Sequence, residues 1–282
     1  MVIDAHQHFW DPVRADYPWM DAAELTPIRR AFGPADLAPL LKANGIDASI
    51  VVQCRSSLEE TEEFLGIAHA TPSVIGVVGW ADLTDAALGA TLDRLRGLPG
   101  GAKLVGIRHQ VHDEADPDWL LRADVQRGLA AVFARDLTYD LLVRTRELPA
   151  AIVTAKTFPQ ARFVLDHAAK PPIADGGSAE WSDRIASLAA CGNVWCKVSG
   201  LATEAKWTDW DAERLFPFVQ HVANCFGEDR LIFGSDWPVC LLAGSYGEIK
   251  SALEACLAKL GPQVRKKAFG ANAKRAYRLA LG

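Results

Sequence analysis

The sequence predicts an α/β fold, a single (β/α)8 barrel that spans residues 1–282. Eight short runs rich in β-branched residues alternate with longer runs in which apolar residues recur at helical spacing. The composition does not shift along the chain, which favours one barrel domain over two smaller domains. The main alternative is an open, doubly wound sheet. That fold usually has fewer strands, and no G-x-G-x-x-G follows any strand candidate here.

The predicted elements follow one another as strand and helix along the whole chain. The strand candidates are residues 2–9, 48–53, 74–82, 104–111, 138–143, 163–167, 194–198 and 231–236. The helix candidates are residues 35–43, 59–70, 85–95, 119–134, 144–157, 179–190, 211–226 and 246–281. Two of them, 59–70 and 85–95, are acidic near their start, as the helix dipole favours. The last is long enough for two helices, and Gly261-Pro262 should break it.

Residues 10–33 form an unusually long connection after the first strand. The segment is polar and aromatic, with Trp10, Tyr17 and Trp19 among its residues. Aromatic content argues against disorder, and long ordered loops are commonly functional. The loop would leave the C-terminal end of a barrel strand, where active sites of such barrels lie. We therefore expect residues 10–33 to cover the active-site face.

Composition and charge exclude several classes of protein. There are 30 Lys and Arg against 35 Asp and Glu, a net charge of −5, so we expect no nucleic-acid surface. No apolar run reaches the roughly 18 residues of a membrane span. The first residues lack the pattern of a signal peptide, and the six cysteines show no C-x-x-C spacing. These features predict a cytoplasmic protein with reduced thiols, and they do not indicate an oligomeric state.

His6 and His8 are the first candidates for chemistry. They lie two residues apart in a strand, so their side chains should share a face, and Asp4 should share it too. That face is the barrel interior, where two imidazoles are costly unless they bind something. The alternative is a pair of hydrogen-bonded core histidines. An H-x-H pair is a weak motif alone, but its position at the start of an eight-unit chain makes it specific.

Asp236 and His167 end the eighth and sixth strand candidates. A carboxylate at a strand end can act as a general base or as a metal ligand, and the alternative is a helix N-cap. Gly234 should let another group approach the strand closely. His167 joins the same set because it also closes a strand. Asp166 has the opposite parity, and we expect it to face the surrounding helices and pair with a helix base.

Several other residues near strand ends are candidates for substrate contact. The fourth strand offers Arg108 and His109, of which only one can face inward in a regular strand, and we favour Arg108. An arginine could hold a carboxylate, or a carbonyl oxygen as it gains charge. Flat aromatics suit sugar-like ligands, although rim packing is the alternative. The further polar and aromatic candidates are Gln53, Arg55, Tyr139, Asp140, Lys197, Ser199, Trp10, Trp80, Trp207, Trp210 and Trp237.

Together these residues resemble the amidohydrolase superfamily. His6-x-His8 opens the first strand, His167 lies at the sixth and Asp236 at the eighth. The finer match rests on Pro18-Trp19, Gly106-Ile107-Arg108-His109, Leu165-Asp166-His167-Ala168-Ala169-Lys170-Pro171, Lys197-Val198-Ser199-Gly200-Leu201, Gly234-Ser235-Asp236-Trp237-Pro238 and Phe269-Gly270-Ala271-Asn272-Ala273. These motifs are similar to those of the amidohydrolase-related branch, which contains sugar-lactone, pyrone-dicarboxylate and muconolactone hydrolases. The similarity is greatest to its L-fuconolactone and L-rhamnonolactone hydrolases and covers essentially the whole chain.

The resemblance implies a hydrolase that adds water to the carbonyl of a small sugar-derived lactone. It implies that Asp236 accepts a proton from the water. His6, His8 and His167, or a metal that they hold, would then polarise the carbonyl oxygen. It leaves two versions open: one divalent ion, most readily zinc, on His6, His8, Asp236 and His167, or catalysis without a metal. Many superfamily members have a lysine or glutamate at the fourth strand and a histidine at the fifth. Residues 137–140 contain no histidine, which argues against a two-metal centre.

Two alternative functions remain at this stage. Relatives in the same branch decarboxylate aromatic or semialdehyde acids with zinc and similar ligands. A barrel that binds a sugar acid without reacting belongs to a different class. Binding alone explains poorly why histidines and a carboxylate would stand at three strand ends.

Overall fold

Eight parallel strands form the barrel in a computed structural model, which describes residues 1–279. Each strand pairs with the next in sequence order, from the first to the eighth. The (β/α)8 barrel predicted from the sequence is therefore confirmed. The strands are β1 (Ile3–Gln7), β2 (Ala48–Val52), β3 (Val74–Gly79), β4 (Leu104–His109), β5 (Thr138–Leu141), β6 (Phe163–Leu165), β7 (Val194–Val198) and β8 (Leu231–Phe233).

Helices follow the strands as the sequence predicts. They are α1 (Pro34–Ala43), α2 (Leu58–Ala70), α3 (Leu88–Arg96), α4 (Ala123–Phe133), α5 (Leu148–Thr157), α6 (Ala179–Ala189), α7 (Ala212–Phe226), α8 (Tyr246–Lys259), α9 (Pro262–Lys266) and α10 (Asn272–Ala276). Side chains cap four of them, because Ser57, Ser178, Asp211 and Ser245 accept backbone N–H groups of the first turn. The break predicted at Gly261-Pro262 separates α8 from α9. The end of the predicted 246–281 helix lies outside the described residues.

The barrel closes where β1 meets the segment that follows β8. The backbone N–H of Asp236 donates to the carbonyl of His6 at 2.8 Å, and the N–H of His8 donates to the carbonyl of Trp237 at 2.7 Å. β8 ends at Phe233, three residues before the predicted end. Asp236 has a left-handed φ of 59°, which a regular strand does not accommodate. We call this junction between β1 and residues 234–237 the barrel seam. Its backbone hydrogen bonds bring the first-strand histidines and Asp236 together.

The structure corrects the expected orientation of Asp4. The pairing of β1 with β2 shifts register between Asp4 and Gln7, so the simple alternation of faces does not hold along β1. The Asp4 carboxylate accepts hydrogen bonds from the Tyr246 hydroxyl of α8 at 2.9 Å and from the Ser235 N–H at 2.9 Å. Asp4 therefore fixes the seam from the helical side and does not share the face of His6.

The C-terminal segment closes the bottom of the barrel. Ala273, Ala276 and Tyr277 pack against an apolar interior cluster that includes Ile3 and Ile50. The side chain of Asn272 donates to the carbonyl of Leu231 at 2.7 Å and ties α10 to β8. The lower half of the barrel is thus a packed core, which leaves the C-terminal ends of the strands to carry the polar groups.

The connection over residues 10–33 is ordered. Backbone hydrogen bonds join Trp10 and Phe32 in both directions at 3.1 and 2.8 Å and close the base of the loop. Two short 3-10 helices, Pro18–Met20 and Ala23–Ile28, fill it. Trp10 packs against Tyr17 and Phe32, so the loop has an aromatic core of its own.

The six cysteines are free thiols. Within residues 1–279, no helix has both the length and the apolar character needed to cross a membrane.

Gly234 should tolerate no side chain. A Cβ at this position would lie 2.5 Å from the Cβ of His6, so Gly234→Ala must displace β1 or β8 at the seam. We expect a loss of about 1 to 3 kcal/mol in the free energy of unfolding, measured by urea denaturation. Gly192→Ala is the control, because a Cβ there meets nothing within 4 Å. Equal stability of the two variants would contradict the close packing of the seam.

Candidate active site

Three imidazoles and one carboxylate meet at the C-terminal end of the barrel. The Nε2 atoms of His6 and His8 lie 3.2 Å apart, and both face Oδ1 of Asp236, at 3.7 and 3.3 Å. Nε2 of His167 lies 3.9 Å from the same oxygen. All four side chains are buried. The structure therefore brings together the four residues that the sequence marks for catalysis.

Unusual backbone conformations point His167 and Asp236 at one another. Both have positive φ, 51° and 59°, and the left-handed run continues from His167 through Lys170. Such conformations are costly outside glycine and concentrate at functional sites. Gly200 makes room for the imidazole, because a Cβ at that position would lie 2.6 Å from Nδ1 of His167. β6 and β8 thus end before His167 and Asp236, and the left-handed backbone at these two residues directs their side chains into the site.

Hydrogen bonds to Nδ1 fix the orientation of two imidazoles. Nδ1 of His8 lies 2.7 Å from the carbonyl oxygen of Val52, which can only accept, so Nδ1 carries the proton. Nδ1 of His167 bonds the hydroxyl of Ser199 at 2.9 Å. In both cases Nε2 faces the site.

Burial sets the charge states of the site. It lowers the pKa of His167 to about 4. Burial and the Lys197 ammonium lower the pKa of His6 well below its ordinary value. Burial alone would raise the pKa of Asp236, but the imidazoles, His167 foremost, lower it below the usual range. At neutral pH the site therefore contains neutral His6 and His167 beside an ionised Asp236, the state required of metal ligands or of a proton acceptor.

A buried charge cluster lies directly beneath the histidines. Nζ of Lys197 lies 2.6 Å from Oδ2 of Asp140, 2.9 Å from Oδ1 of Asp166 and 3.0 Å from Nδ1 of His6. Nη1 of Arg108 donates to Oδ2 of Asp166 at 2.9 Å. We call Lys197, Asp140, Asp166 and Arg108 the buried charge cluster. Sequence reasoning treated Asp140 only as a candidate substrate contact and missed that it pairs with Lys197.

The expectation that Asp166 faces the helices is wrong. It rests on strand parity, but β6 ends at Leu165, and parity has no meaning beyond the strand. Burial opposes ionisation of Asp166, yet Lys197 and His6 hold its pKa well below the usual range. Asp166 therefore links Lys197 to Arg108 inside the barrel.

β4 pairs with β5 without a register shift from Gly106 to His109, and it turns Arg108 inward and His109 outward. The guanidinium of Arg108 donates to Oε1 of Gln53 at 2.9 Å, and it lines the cleft described below. His109 stacks on Trp119 with ring centroids 4.2 Å apart, and its Nε2 lies 2.7 Å from a carboxylate oxygen of Glu114. The prediction that His109 contacts the substrate is therefore wrong, because its side chain lies between the barrel and its outer layer.

Four further predicted contacts also lie outside the cleft. Trp10 is 4% exposed and donates its indole N–H to the carbonyl of Ile28, and Trp237 is 1% exposed and packs against Phe9 and Phe32. Both belong to the aromatic packing under the long loop. Lys197 and Gln53 are fully buried and reach the site only through His6 and Arg108. A position near a strand end predicts the correct face of the barrel, but it does not predict exposure to the substrate.

A cleft of about 340 Å³ opens above the histidines. This volume lies in the ordinary range for small-molecule sites. His8, Arg108, His167 and Asp236 line its base. Its walls come from loops, and they include Trp19 and Leu25 of residues 10–33 together with Cys54, Gln110, His112, Asp113, Leu142, Arg144, Lys170, Thr203, Glu204, Trp207, Val239 and Leu242. Sequence reasoning proposed Trp207 among these and missed most of the others, because loop residues follow no periodic pattern.

The donor set fits one divalent metal ion. Donor atoms of His6, His167 and Asp236 all lie within 4.8 Å of one another. Imidazole nitrogens with a carboxylate oxygen are typical zinc ligands. His8 offers a further nitrogen 3.2 Å from that of His6. Three of the four ligands named from the sequence are therefore present as one geometric group, and His8 lies beside it.

Lys197 should be essential to the stability of the barrel. Lys197→Met leaves the buried Asp140 without its cation and Asp166 with Arg108 alone, and we expect a loss of about 3 to 5 kcal/mol in unfolding free energy at pH 8. Burial already raises the pKa of Asp140 to about 6. When the pKa of a carboxyl is higher in the folded than in the unfolded protein, its ionised form destabilises the fold. This destabilisation decreases as the pH falls and the carboxyl becomes protonated. The loss should therefore be smaller at pH 5.

Chemical denaturation at both pH values measures this effect. The exposed Lys156→Met variant is the control and should change stability by less than about 0.5 kcal/mol. A Lys197→Met loss that does not change with pH would show that the carboxylates are not held by this lysine.

Comparison with known proteins places the chain in a family. The Amidohydrolase family profile matches residues 3–279. The chain is 43% identical to an L-fucono-1,5-lactonase of Burkholderia ambifaria, over 98% of this chain and 95% of that protein. It is 40% identical to an L-fucono-1,5-lactonase of Burkholderia multivorans, over 98% and 96% of the two chains.

Solved structures agree. A crystal structure of a Burkholderia multivorans amidohydrolase with bound zinc superposes with a TM-score of 0.93 at 39% identity, covering 99% of each chain. A structure described as a 2-pyrone-4,6-dicarboxylic acid hydrolase of Pseudomonas putida, 20% identical with a TM-score of 0.81, shares the fold. The chain belongs to the amidohydrolase family.

Proposed function

We propose that the protein hydrolyses a sugar-derived lactone to the aldonic acid. The substrate would be L-fucono-1,5-lactone or a related L-galactono- or L-rhamnono-lactone. The observation that carries the proposal is the ionised carboxylate of Asp236, buried among three imidazoles at the base of a cleft that fits a small molecule. The 43% and 40% identical relatives are both named L-fucono-1,5-lactonase and support the same substrate class.

The chemistry follows from the position of Asp236. A water on this carboxylate attacks the lactone carbonyl, a new C–O bond forms, and its proton passes to Asp236. The tetrahedral intermediate then collapses, and the bond between the acyl carbon and the ring oxygen breaks. Asp236 then returns the proton to the departing ring oxygen, which leaves as a hydroxyl. The product is a hydroxy acid, and Asp236 returns to its ionised state.

The cation at the cleft base stabilises the developing charge. The Arg108 guanidinium lines the cleft, and Asp166 and Gln53 hold it in place. A fixed cation or hydrogen-bond donor aimed at the carbonyl oxygen favours the transition state over the ground state. Ser199 and the carbonyl of Val52 keep the Nε2 atoms of His167 and His8 directed at the site.

We also propose that His6, His8, His167 and Asp236 can hold one zinc ion. When bound, the metal would supply Lewis-acid chemistry that polarises the carbonyl and lowers the pKa of a bound water. The close approach of the donor atoms of His6, His167 and Asp236 supports this assignment.

Three broader assignments complete the proposal. Residues 1–282 form one domain, with the loop at residues 10–33 over the active-site face. The partner is a small molecule, consistent with the volume of the cleft. The protein is cytoplasmic, and its six free thiols support a reducing compartment.

Asp236→Asn should abolish turnover and preserve the fold. Loss of the proton acceptor should lower kcat for L-fuconolactone by about 10²- to 10⁴-fold, measured as acid release with a pH indicator. Circular dichroism checks the fold, and the exposed Asp118→Asn variant controls for the same chemical change elsewhere. Near-wild-type activity of Asp236→Asn would refute the role of this carboxylate. Turnover of an aromatic acid, with none of any lactone, would favour a decarboxylase.

Zinc binding should depend on the hydrogen bond behind His167. After chelation, the wild-type protein should bind one Zn²⁺ ion in a calorimetric titration. Ser199→Ala should weaken this binding about 10- to 100-fold, because Ser199 orients the imidazole. Ser187→Ala, an exposed serine of α6, should bind as the wild type does. Equal affinity of the two variants, or no binding by the wild type, would contradict the metal assignment.

A further inference from the structure

Two side chains of the cleft wall carry buried polar atoms without partners. Nε1 of Trp19 and Nδ1 of His112 are inaccessible to solvent, and neither has a hydrogen-bond partner within residues 1–279. Both residues line the cleft above Asp236. Buried polar atoms in proteins are nearly always paired, so each exception requires an explanation. The other indole of the cleft wall, that of Trp207, donates to the carbonyl of Thr203 at 3.0 Å.

Trp19 differs from its neighbour in how it uses its indole N–H. Trp10 donates its own N–H to the carbonyl of Ile28 at 3.1 Å and stabilises the loop. Trp19 packs edge-on against Trp10, with ring centroids 5.4 Å apart, in the short 3-10 helix Pro18–Met20. The ring is therefore held by packing while its donor is not used. The indole N–H of Trp10 therefore stabilises the loop, whereas the indole N–H of Trp19 remains available to a ligand.

His112 supplies the complementary atom. It lies in the 3-10 helix Val111–Asp113 that follows β4. Its Nε2 lies 3.2 Å from Oδ1 of Asp113, and a carboxylate oxygen accepts, so Nε2 carries a proton. The hydrogen bond from His112 lowers the pKa of Asp113, which keeps the acceptor ionised. In the tautomer with the proton on Nε2, Nδ1 has a free lone pair and can accept from a hydroxyl.

Resting on the proposed function, we propose that Trp19 and His112 determine which lactone the enzyme selects. Side chains of the cleft wall shift on binding, so that the indole N–H of Trp19 donates to one oxygen of the substrate and Nδ1 of His112 accepts from one of its hydroxyls. A polyhydroxylated ring suits this pair, because each hydroxyl can both donate and accept. A site built to pair with a hydroxyl rejects analogues that lack it, since its own buried atoms are then left unpaired.

The test is a set of conservative variants assayed on L-fuconolactone and on analogues that each lack one hydroxyl. Trp19→Phe keeps an aromatic ring and removes the donor. Its KM for the full substrate should rise about tenfold, the cost of one hydrogen bond, while kcat changes by less than about threefold. One monodeoxy lactone should show the same KM in the wild type and in Trp19→Phe, because the hydrogen bond is already missing from that substrate.

His112 allows a matched pair of variants. His112→Leu removes the acceptor and should raise KM about tenfold, with a different monodeoxy lactone insensitive to the change. His112→Asn places an amide oxygen near the position of Nδ1 and should keep KM within about threefold of the wild type. Trp210→Phe controls for loss of an indole, because Trp210 donates to the carbonyl of Ala243 and does not line the cleft. Its kinetic constants should not change.

The outcomes separate this inference from the proposed function. A wild-type protein without lactonase activity refutes the proposed function itself. An active wild type whose KM is unchanged in Trp19→Phe and His112→Leu overturns only the inference. A uniform KM increase across all monodeoxy lactones would also overturn it, because it would show that the variants disturb the loop and do not remove a specific hydrogen bond.

Discussion

The ion pairs of Lys197 with Asp140 and Asp166 are the interaction on which the rest of the site depends. All three side chains are fully buried, and an ammonium is costly to bury unless carboxylates surround it. Tyr277, just after α10, donates its hydroxyl to Asp140 at 2.7 Å and connects the cluster to the closed bottom of the barrel. Asp166 connects it upward, to Arg108. The cluster thus transmits the rigidity of the packed core to the groups at the base of the cleft.

The barrel seam supplies the second constraint. His6 and Asp236 are joined by a backbone hydrogen bond at 2.8 Å, so closing the barrel assembles part of the site. Asp4 braces the same point from the helical side, through Ser235 and Tyr246. The left-handed residues at the ends of β6 and β8 are tolerated because the surrounding contacts leave them little alternative. Folding and preorganisation of the site are therefore one process in this chain.

The sequence predicts the barrel and the central residues well, for a definite physical reason. Parallel strands end at one face, so His6, His8, His167 and Asp236 had to converge once eight strands were recognised. The prediction for Asp166 was wrong because strand parity no longer applies once the strand has ended. The predictions for Trp10 and Trp237 were wrong because both indoles are buried in apolar packing. Strand parity correctly favoured Arg108 over His109 as the inward residue, while the predicted substrate contact by His109 was wrong. The cleft walls, including His112, lie on loops whose positions depend on tertiary contacts that sequence periodicity does not encode.

The central claim is that water, activated at Asp236, attacks the acyl carbon of a sugar lactone. A single turnover in H₂¹⁸O, with enzyme in excess over L-fuconolactone, tests it most directly by mass spectrometry of the product. The account predicts that the aldonate of this first turnover carries one ¹⁸O, and that the label lies in its carboxylate. An unlabelled first-turnover product would indicate an acyl-enzyme on Asp236. A label in a sugar hydroxyl, or no hydrolysis at all, would contradict the mechanism.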